Sequence, residues 1–282
     1  MYETLDRLID VISPQAESEC VYTGHNMHPE AFRVYGGQVL AQCLSAAAAT
    51  VAPGRQVHSQ HAYFLRPGDP SLPITLEVEK ARDGGSFSSR RVVANQQGKT
   101  ILVSSLSFQT PAEGDEFQSA MPQVPAPEEL VSERELGLQA GNIDEKFMIT
   151  TGQDLDVRVV EPIDWESPVA REPVLKAWVK TVGPVADAAG RQQALLAYIS
   201  DFFLIDVCLI AHGRDYQDTS LQVASLDHAL WFHTDFRADE WLLHVVEASA
   251  IGGGRGLAHG SFYTREGKLV ANTVQQGLMR KR

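Results

Sequence analysis

Two parts of the chain repeat the same order of sequence patterns, and this duplication constrains the fold more than any other feature. In each part an apolar stretch with helical character precedes three long runs that favour β-strands. The last two runs of each part are joined by a turn that contains glycine, at residues 96–99 and 265–268. His61 aligns with His228, and Gly98 aligns with Gly267. The pattern predicts two similar structural units in one chain.

Each unit is predicted to contain one long helix and one antiparallel sheet. The helices are expected at residues 36–49 and 192–205, and strands matching each other begin at His58 and Ser225. The remaining predicted strands are residues 74–81, 86–94 and 100–108 in the first part and 241–248, 256–263 and 269–279 in the second. Long apolar strands must bury one face of their sheet, and the helix is the element available to cover it. The fold class is therefore α+β, with each sheet wrapped around its helix.

The composition of residues 111–135 separates the two repeats. This stretch has four prolines and seven carboxylates, so it offers few ladder hydrogen bonds and little apolar surface. We expect an exposed linker here. The predicted organisation is an N-terminal repeat at residues 1–110, a linker at 111–149, and a C-terminal repeat at 150–282.

Composition and charge restrict the partners of the protein. A net charge of -12 argues against nucleic-acid binding, which depends on lysine and arginine side chains that neutralise phosphates. Three widely spaced cysteines suit a reducing compartment. The N-terminal residues read as an amphipathic helix rather than a signal peptide, the apolar stretch 202–211 is too short to span a bilayer, and the C-terminus lacks a peroxisomal S-K-L signal. These features predict a cytoplasmic protein without a membrane span.

Several familiar catalytic patterns do not occur. The sequence has no G-x-S-x-G elbow, no Walker loop and no complete dinucleotide fingerprint. Its close histidine pairs, His25 with His28 and His58 with His61, lack the additional ligands of a zinc site. We therefore expect neither a metal nor a cofactor.

Two polar residues in apolar surroundings are candidate functional groups. Asp201 lies within the predicted second helix, where a buried carboxylate is costly unless it is hydrogen-bonded or used. Gln275 lies in the last strand, where the first repeat has Leu106. The alternatives are that Asp201 caps a helix or faces solvent, that Asp206 takes its place, and that Gln275 lies on the solvent face of its strand.

Six segments of the chain resemble the acyl-CoA thioesterase II (TesB-like) family, whose members have a double hotdog fold. The matching segments are residues 35–40, 58–69, 82–93, 224–233, 240–243 and 270–277, and the resemblance covers nearly the whole chain outside the predicted linker. The resemblance implies hydrolysis of acyl-CoA thioesters to a fatty acid and CoA. It also implies a homo-oligomer, a dimer or a tetramer.

The same resemblance implies a catalytic trio of Asp201, Ser225 and Gln275, with serine where many members of the family have threonine. These side chains would orient a water molecule, with Asp201 as general base. Gly36 and Gly37, at the start of the first predicted helix, are candidates for stabilising the oxyanion. His58 aligns with Ser225, so it is either a substrate-contacting or accessory residue or a core histidine.

Two other functions remain open at this point. One is a hotdog enoyl-CoA hydratase, in which an aspartate and a histidine cooperate, with His212 as the nearest match to Asp201 in the sequence. The other is a noncatalytic acyl-CoA-binding protein. Arg90, Arg91 and Arg255 are candidate contacts for the CoA phosphates, although solvated surface arginines would look the same.

Overall fold

The computed structural model describes residues 3–140, 153–164, 167–216 and 218–282. Five α-helices and thirteen β-strands lie within these ranges. The helices are α1 (Glu3–Val11), α2 (Gly36–Ala48), α3 (Glu133–Ala140), α4 (Arg191–Ile199) and α5 (Asp206–Ile210). The strands of the first repeat are β1 (Gln15–Ser18), β2 (Val21–Gly24), β3 (Gln56–Phe64), β4 (Ile74–Asp83), β5 (Phe87–Gln96) and β6 (Lys99–Gln109). Those of the second are β7 (Leu155–Val159), β8 (Val174–Thr181), β9 (Leu221–Ser225), β10 (Asp227–Phe232), β11 (Leu242–Gly252), β12 (Arg255–Thr264) and β13 (Leu269–Lys281).

The strands form one continuous antiparallel sheet in which the two repeats mirror each other. The order is β1-β2-β4-β5-β6-β3 in the first half and β10-β13-β12-β11-β8-β7 in the second, and β3 pairs with β10 at the junction. The short strand β9 extends the pairing along the end of β13. This arrangement confirms the predicted α+β double hotdog, in which each half of the sheet wraps around a buried helix.

Helices α2 and α4 pack against each other in antiparallel directions inside the sheet. Gly190, before α4, lies against Ala48 at the end of α2, and Gly37, at the start of α2, lies against Tyr198 near the end of α4. Both helices are apolar on nearly all sides, as a helix enclosed by a sheet must be. The first turn of α2 is thereby placed beside the last turn of α4.

The second helix is shorter than the sequence predicts. The apolar run 192–205 suggests one continuous helix, but α4 ends at Ile199 and a turn separates it from α5. Phe203 adopts a left-handed backbone with φ of 65° in this turn, so the helix cannot continue through it. Hydrophobic periodicity does not report the break, because the turn residues are buried as well.

Part of the segment predicted as an exposed linker packs against the second repeat. Phe117 is exposed, but Met121, Val124 and Leu130 cover a cluster built around Trp178. The Trp178 indole donates a hydrogen bond to the Pro125 carbonyl at 2.9 Å. Composition correctly indicates the absence of strands in residues 111–135 but not this docking. Residues 141–149 of the predicted linker lie outside the described residues, and the predicted boundaries of the two repeats stay predictions.

Equivalent backbone hydrogen bonds in the two repeats correct their alignment. Leu65 donates to the Ile101 carbonyl at 2.8 Å, and His233 donates to the Val270 carbonyl at 2.9 Å. Counted back from Leu65 and His233, His228 is equivalent to Gln60 and not to His61. In agreement, His228 is buried whereas His61 is exposed.

The same counting tests two other predicted equivalences. Counted forward from Ile101 and Val270, Leu106 is equivalent to Gln275, as the sequence predicts. Ser225 becomes equivalent to Val57 rather than to His58. His58 instead corresponds to Leu226. Leu226 lies between the end of β9 and the start of β10, and His58 lies at the shift of register between β3 and β6.

Candidate active site

Asp201 lies in the turn between α4 and α5 rather than within a helix. The backbone N–H of Ser200 donates to the Leu196 carbonyl at 2.7 Å and closes the last turn of α4. The chain then turns through Phe203 before α5 begins at Asp206. This turn directs the Asp201 carboxylate toward the first turn of α2.

The N-terminus of α2 provides a hydrogen-bond donor and the positive end of a helix dipole for this carboxylate. The Gly37 N–H donates to Asp201 Oδ2 at 3.0 Å. A Cβ atom at Gly36 would lie 2.7 Å from the same oxygen, and one at Gly37 would lie 2.3 Å from the Tyr198 carbonyl oxygen. Only glycine allows this close approach. Gly36 and Gly37 therefore begin helix α2 and also position Asp201 beside it.

The side chains of Gln275 and Ser225 reach the same place from the sheet. Gln275 is on the inner face of β13 and is 1% exposed, and Ser225 ends β9. Gln275 Nε2 donates to Ser225 Oγ at 3.2 Å, and the amide lies close enough to the Asp201 carboxylate to lower its pKa. The three residues named from the sequence are therefore in contact. The expectation that Gln275 could face solvent is wrong.

His228 is a fourth member of this cluster that sequence analysis did not identify. Its Nδ1 lies 2.7 Å from Gln275 Oε1, and its Nε2 lies 2.9 Å from Ser200 Oγ and 3.1 Å from Thr273 Oγ1. An amide oxygen only accepts, so Nδ1 carries the hydrogen. Burial lowers the pKa of His228 to about 4, so the ring is neutral at pH 7. The sequence pattern aligns His228 with His61, which is exposed, so the inward orientation of His228 on β10 is not apparent from the sequence.

The electrostatics of the cluster suit a general base. Burial raises the pKa of Asp201 to about 6, and the nearby Gln275 amide, the hydrogen bond from Gly37 and the charge of Arg33 limit the increase. Arg33 is held beside the site by a hydrogen bond to the Val223 carbonyl at 3.2 Å. A carboxylate with a pKa near 6 is ionised at neutral pH and is still basic enough to accept a proton from water.

Asp206 is a second carboxyl group near Asp201. Burial, and then the charge of Asp201, raise the pKa of Asp206 to about 7. The structure does not give Asp206 a hydrogen bond to Gln275, Ser225 or the first turn of α2 among the described residues. Asp201 is therefore the carboxylate of this cluster, and its charge raises the pKa of Asp206.

Other residues selected from the sequence lie elsewhere. His58 is bonded to Ser107 Oγ at 2.8 Å and contacts the ring of Phe87, so its partners lie in the first repeat, away from Asp201. Arg90 is 2% exposed and its guanidinium is occupied by Thr50, Asp83 and nearby carbonyls. Its guanidinium is therefore engaged in bonds within the first repeat. Within the described ranges, no group of three or more histidine, cysteine or acidic residues could hold a metal ion.

The fold and this cluster together define a class, the hotdog thioesterases. Comparison with family models agrees, since residues 24–109 match the acyl-CoA thioesterase N-terminal domain and residues 169–278 match acyl-CoA thioesterase.

Relatives that match over nearly the full length of the chain identify the family within this class. The chain is 36% identical to acyl-CoA thioesterase 2 of Haemophilus influenzae, over 99% of both chains. It is also 36% identical to mouse acyl-coenzyme A thioesterase 8, covering 96% of this chain and 88% of the relative. The crystal structure of acyl-CoA thioesterase II TesB2 from Mycobacterium marinum superposes with a TM-score of 0.79 at 36% identity, covering 99% of this chain and 97% of that one. The chain belongs to the acyl-CoA thioesterase II (TesB-like) family, and it is an acyl-CoA thioesterase.

Proposed function

We propose that Asp201, Ser225 and Gln275 hold one water molecule and direct it at the carbonyl carbon of an acyl-CoA thioester. The observation that supports this most is the Gln275 amide, which donates to Ser225 and lies beside Asp201, so that it brings a base and a hydroxyl together. Because Ser225 Oγ accepts a hydrogen bond from Gln275, its own hydrogen is free to be donated to the water. The water is thereby oriented before it reacts.

In the proposed reaction the water oxygen bonds to the carbonyl carbon while Asp201 accepts a proton from it. The carbonyl oxygen becomes an oxyanion, and when this collapses the carbon–sulfur bond breaks and CoA leaves as a thiolate. The proton held by Asp201 then passes to the thiolate or to solvent. A thiolate is a good leaving group, so the step needs no strong acid.

The first turn of α2 is the proposed oxyanion site. The Gly37 N–H is already taken by Asp201, so it is a positioning group. The Gly36 N–H has no acceptor among the described residues and lies at the positive end of the same helix. We assign the oxyanion contact to Gly36.

Neither alternative function is favoured. A hydratase would pair Asp201 with a histidine, but His212 follows α5, and its backbone N–H donates to Leu209. The histidine that does lie in the cluster, His228, is bonded on both ring nitrogens to protein groups and reaches Asp201 only through Gln275. A noncatalytic binding protein would not need these converging polar groups.

The direct test is release of free CoA thiol from a panel of saturated acyl-CoAs of increasing chain length. Ser225→Ala and Gln275→Ala are each expected to lower kcat by about 10- to 1000-fold, because each removes one of the bonds that orient the water. Gln276→Ala is the matched control, since Gln276 is the adjacent residue and points to the opposite face of β13. Turnover at the wild-type rate in folded Gln275→Ala would contradict the proposed trio. With an enoyl-CoA as the substrate, loss of enoyl absorbance in place of thiol release would favour a hydratase.

The pH profile gives an independent prediction. The kcat/KM should fall about tenfold per pH unit below pH ~6, where Asp201 becomes protonated. The charged and titratable groups around it are Arg33, Asp206, Tyr35 and Tyr216. Asp206, whose pKa is about 7, is largely protonated where this limb falls, so Asp206→Asn should leave the limb in place. A limb that moves clearly lower in Asp206→Asn would show that Asp206 is charged at that pH and raises the pKa of Asp201.

The substrate is proposed to be an acyl-CoA thioester, with no nucleic-acid partner. No helix in the described parts of the chain is long and apolar enough to cross a membrane. A cytoplasmic location and assembly into a homodimer or homotetramer remain proposals, supported by the cysteine content and by the family resemblance respectively.

A further inference from the structure

We infer that His228 is a positioning residue that fixes the orientation of the Gln275 amide, and that catalysis depends on it for this reason. The inference rests on the proposed function, because it concerns how one member of the trio is held. The observation that carries it is the bond of 2.7 Å between His228 Nδ1 and Gln275 Oε1.

A glutamine amide can be placed in two ways that differ by a half-turn, and only one of them suits this site. With Nε2 toward Ser225 and Asp201, the amide donates to Ser225 and presents its N–H groups to the nearby carboxylate, whose pKa it lowers. In the flipped orientation Oε1 would face the Asp201 carboxylate, and two acceptors would repel each other. The Nδ1–H of His228 bonds only to the correct arrangement, because after a flip it would face the amide NH₂ group.

The His228 ring is itself fixed from its other side. Its Nε2 lies between the hydroxyl groups of Ser200 and Thr273. These hydroxyls also lie 2.9 Å from the carbonyls of Ala197 and Ala229, respectively. With the hydrogen on Nδ1, where the Gln275 carbonyl oxygen accepts it, Nε2 accepts from one of these hydroxyls and the other donates to its carbonyl. His228 is 1% exposed, so water does not compete for these bonds.

The first repeat provides a comparison within the same chain. There the position of His228 is taken by Gln60, and that of Gln275 by Leu106, which pairs with Gln60 across β3 and β6. Gln60 Nε2 donates to Ser104 Oγ at 3.2 Å, as His228 contacts the equivalent Thr273. Gln60 therefore keeps the bond to the hydroxyl but has no amide opposite it. The histidine occurs in the repeat where an amide must be oriented.

Asparagine and glutamine distinguish the two ring nitrogens of a histidine. The amide nitrogen of Asn lies close to the position of Nδ1, and that of Gln lies close to the position of Nε2. His228→Asn should therefore keep a donor for Gln275 Oε1, whereas His228→Gln should keep only the contact with Ser200 and Thr273. Both variants bury one neutral amide, so their effects on stability are comparable.

The experiment measures kcat and KM for thiol release in both variants, with Tm for each. We expect His228→Gln to lower kcat about 100-fold with KM within about threefold, because the water is misplaced while substrate binding is kept. His228→Asn should remain within about tenfold of wild type. His228→Leu, which needs no buried partner, is a second donor-free variant and should lose as much as His228→Gln. Gln60→Asn, at the equivalent position opposite Leu106, is the matched control and should leave kcat unchanged.

A double-mutant cycle separates this inference from the proposed function. If His228 acts through Gln275, His228→Gln should cost nothing further in a Gln275→Ala background. Equal losses in His228→Asn and His228→Gln, or a loss that adds fully to that of Gln275→Ala, would overturn the role of His228 alone. Wild-type turnover by Gln275→Ala would overturn the proposed trio, and this role with it.

Discussion

Replacing Asp201 with Asn is expected to lower kcat for acyl-CoA hydrolysis by about 100- to 10,000-fold, which is the usual contribution of a general base. Asn is nearly the same size as Asp, and its amide oxygen can still accept from Gly37, as Asp201 Oδ2 does at 3.0 Å. What it cannot do is accept the proton of the attacking water. The measurement is thiol release at pH 8, where the wild-type carboxylate is ionised.

The same substitution should stabilise the fold at neutral and alkaline pH. The folded-state pKa of Asp201, about 6, lies above the ordinary value of 3.8. The ionised carboxylate therefore costs stability in the folded protein above pH ~6, and below pH ~4 it is protonated in both states and costs nothing. The gain for Asp201→Asn should reach about 1–3 kcal/mol at pH 8 and disappear near pH 4. Thermal melting across this range measures it.

Asp218→Asn is the matched control, because its environment is the reverse. Hydrogen bonds from Ser220 lower the pKa of the Asp218 carboxyl, as does its interaction with Arg214. Neutralising Asp218 should thus lower Tm at pH 8 and leave kcat unchanged. If Asp201→Asn retained its turnover, or melted below wild type at pH 8, the burial of an ionised catalytic base at this position would be refuted.

Among glycine-to-alanine substitutions, which each add one methyl group, Gly37→Ala should destabilise the protein most. Its Cβ would lie 2.3 Å from the Tyr198 carbonyl oxygen and 2.5 Å from the Tyr35 ring. Neither neighbour is free to move, since the Tyr35 hydroxyl is bonded to that same carbonyl at 2.9 Å. The start of α2 must therefore shift away from α4, with a loss of about 1–3 kcal/mol or more in the free energy of unfolding.

The shift should also reduce activity, because it carries the Gly37 N–H away from Asp201. We expect kcat to fall about 100-fold or more, with a lower Tm by thermal melting. Gly85→Ala is the control, since a Cβ at Gly85 would have nothing within 4 Å and its backbone is not left-handed. Wild-type kcat and Tm in Gly37→Ala would show that α2 and α4 are not packed as tightly as this geometry requires.

The strands and hairpins could be predicted from the sequence because their signals are local. Alternation of apolar and polar residues marks β4, β5, β6, β11, β12 and β13 to within a few residues. The turn glycines Gly98 and Gly267 have φ of 74° and 88°, which glycine adopts without strain. The short strands β1, β2, β7 and β8 gave no comparable signal and were missed.

The candidate site was predictable only in part. Asp201 and Gln275 stand out as polar residues in apolar stretches, and the family resemblance supplied Ser225. His228 could not be found in this way, because its role depends on which face of β10 it occupies. That face depends on pairing with β3 and β13, whose partner residues are far away in the sequence.

Periodicity, turn chemistry and recognisable motifs are enough to predict the duplication, the α+β class and the polar groups of the site. Three features are visible only in the folded chain: α4 ends before Asp201, the linker packs on Trp178, and Gly37 donates to the carboxylate. Each of these depends on contacts between segments distant in the chain, and Gly37 and Asp201 are 164 residues apart. Such contacts are set by how the two repeats pack together, and no local pattern encodes that packing.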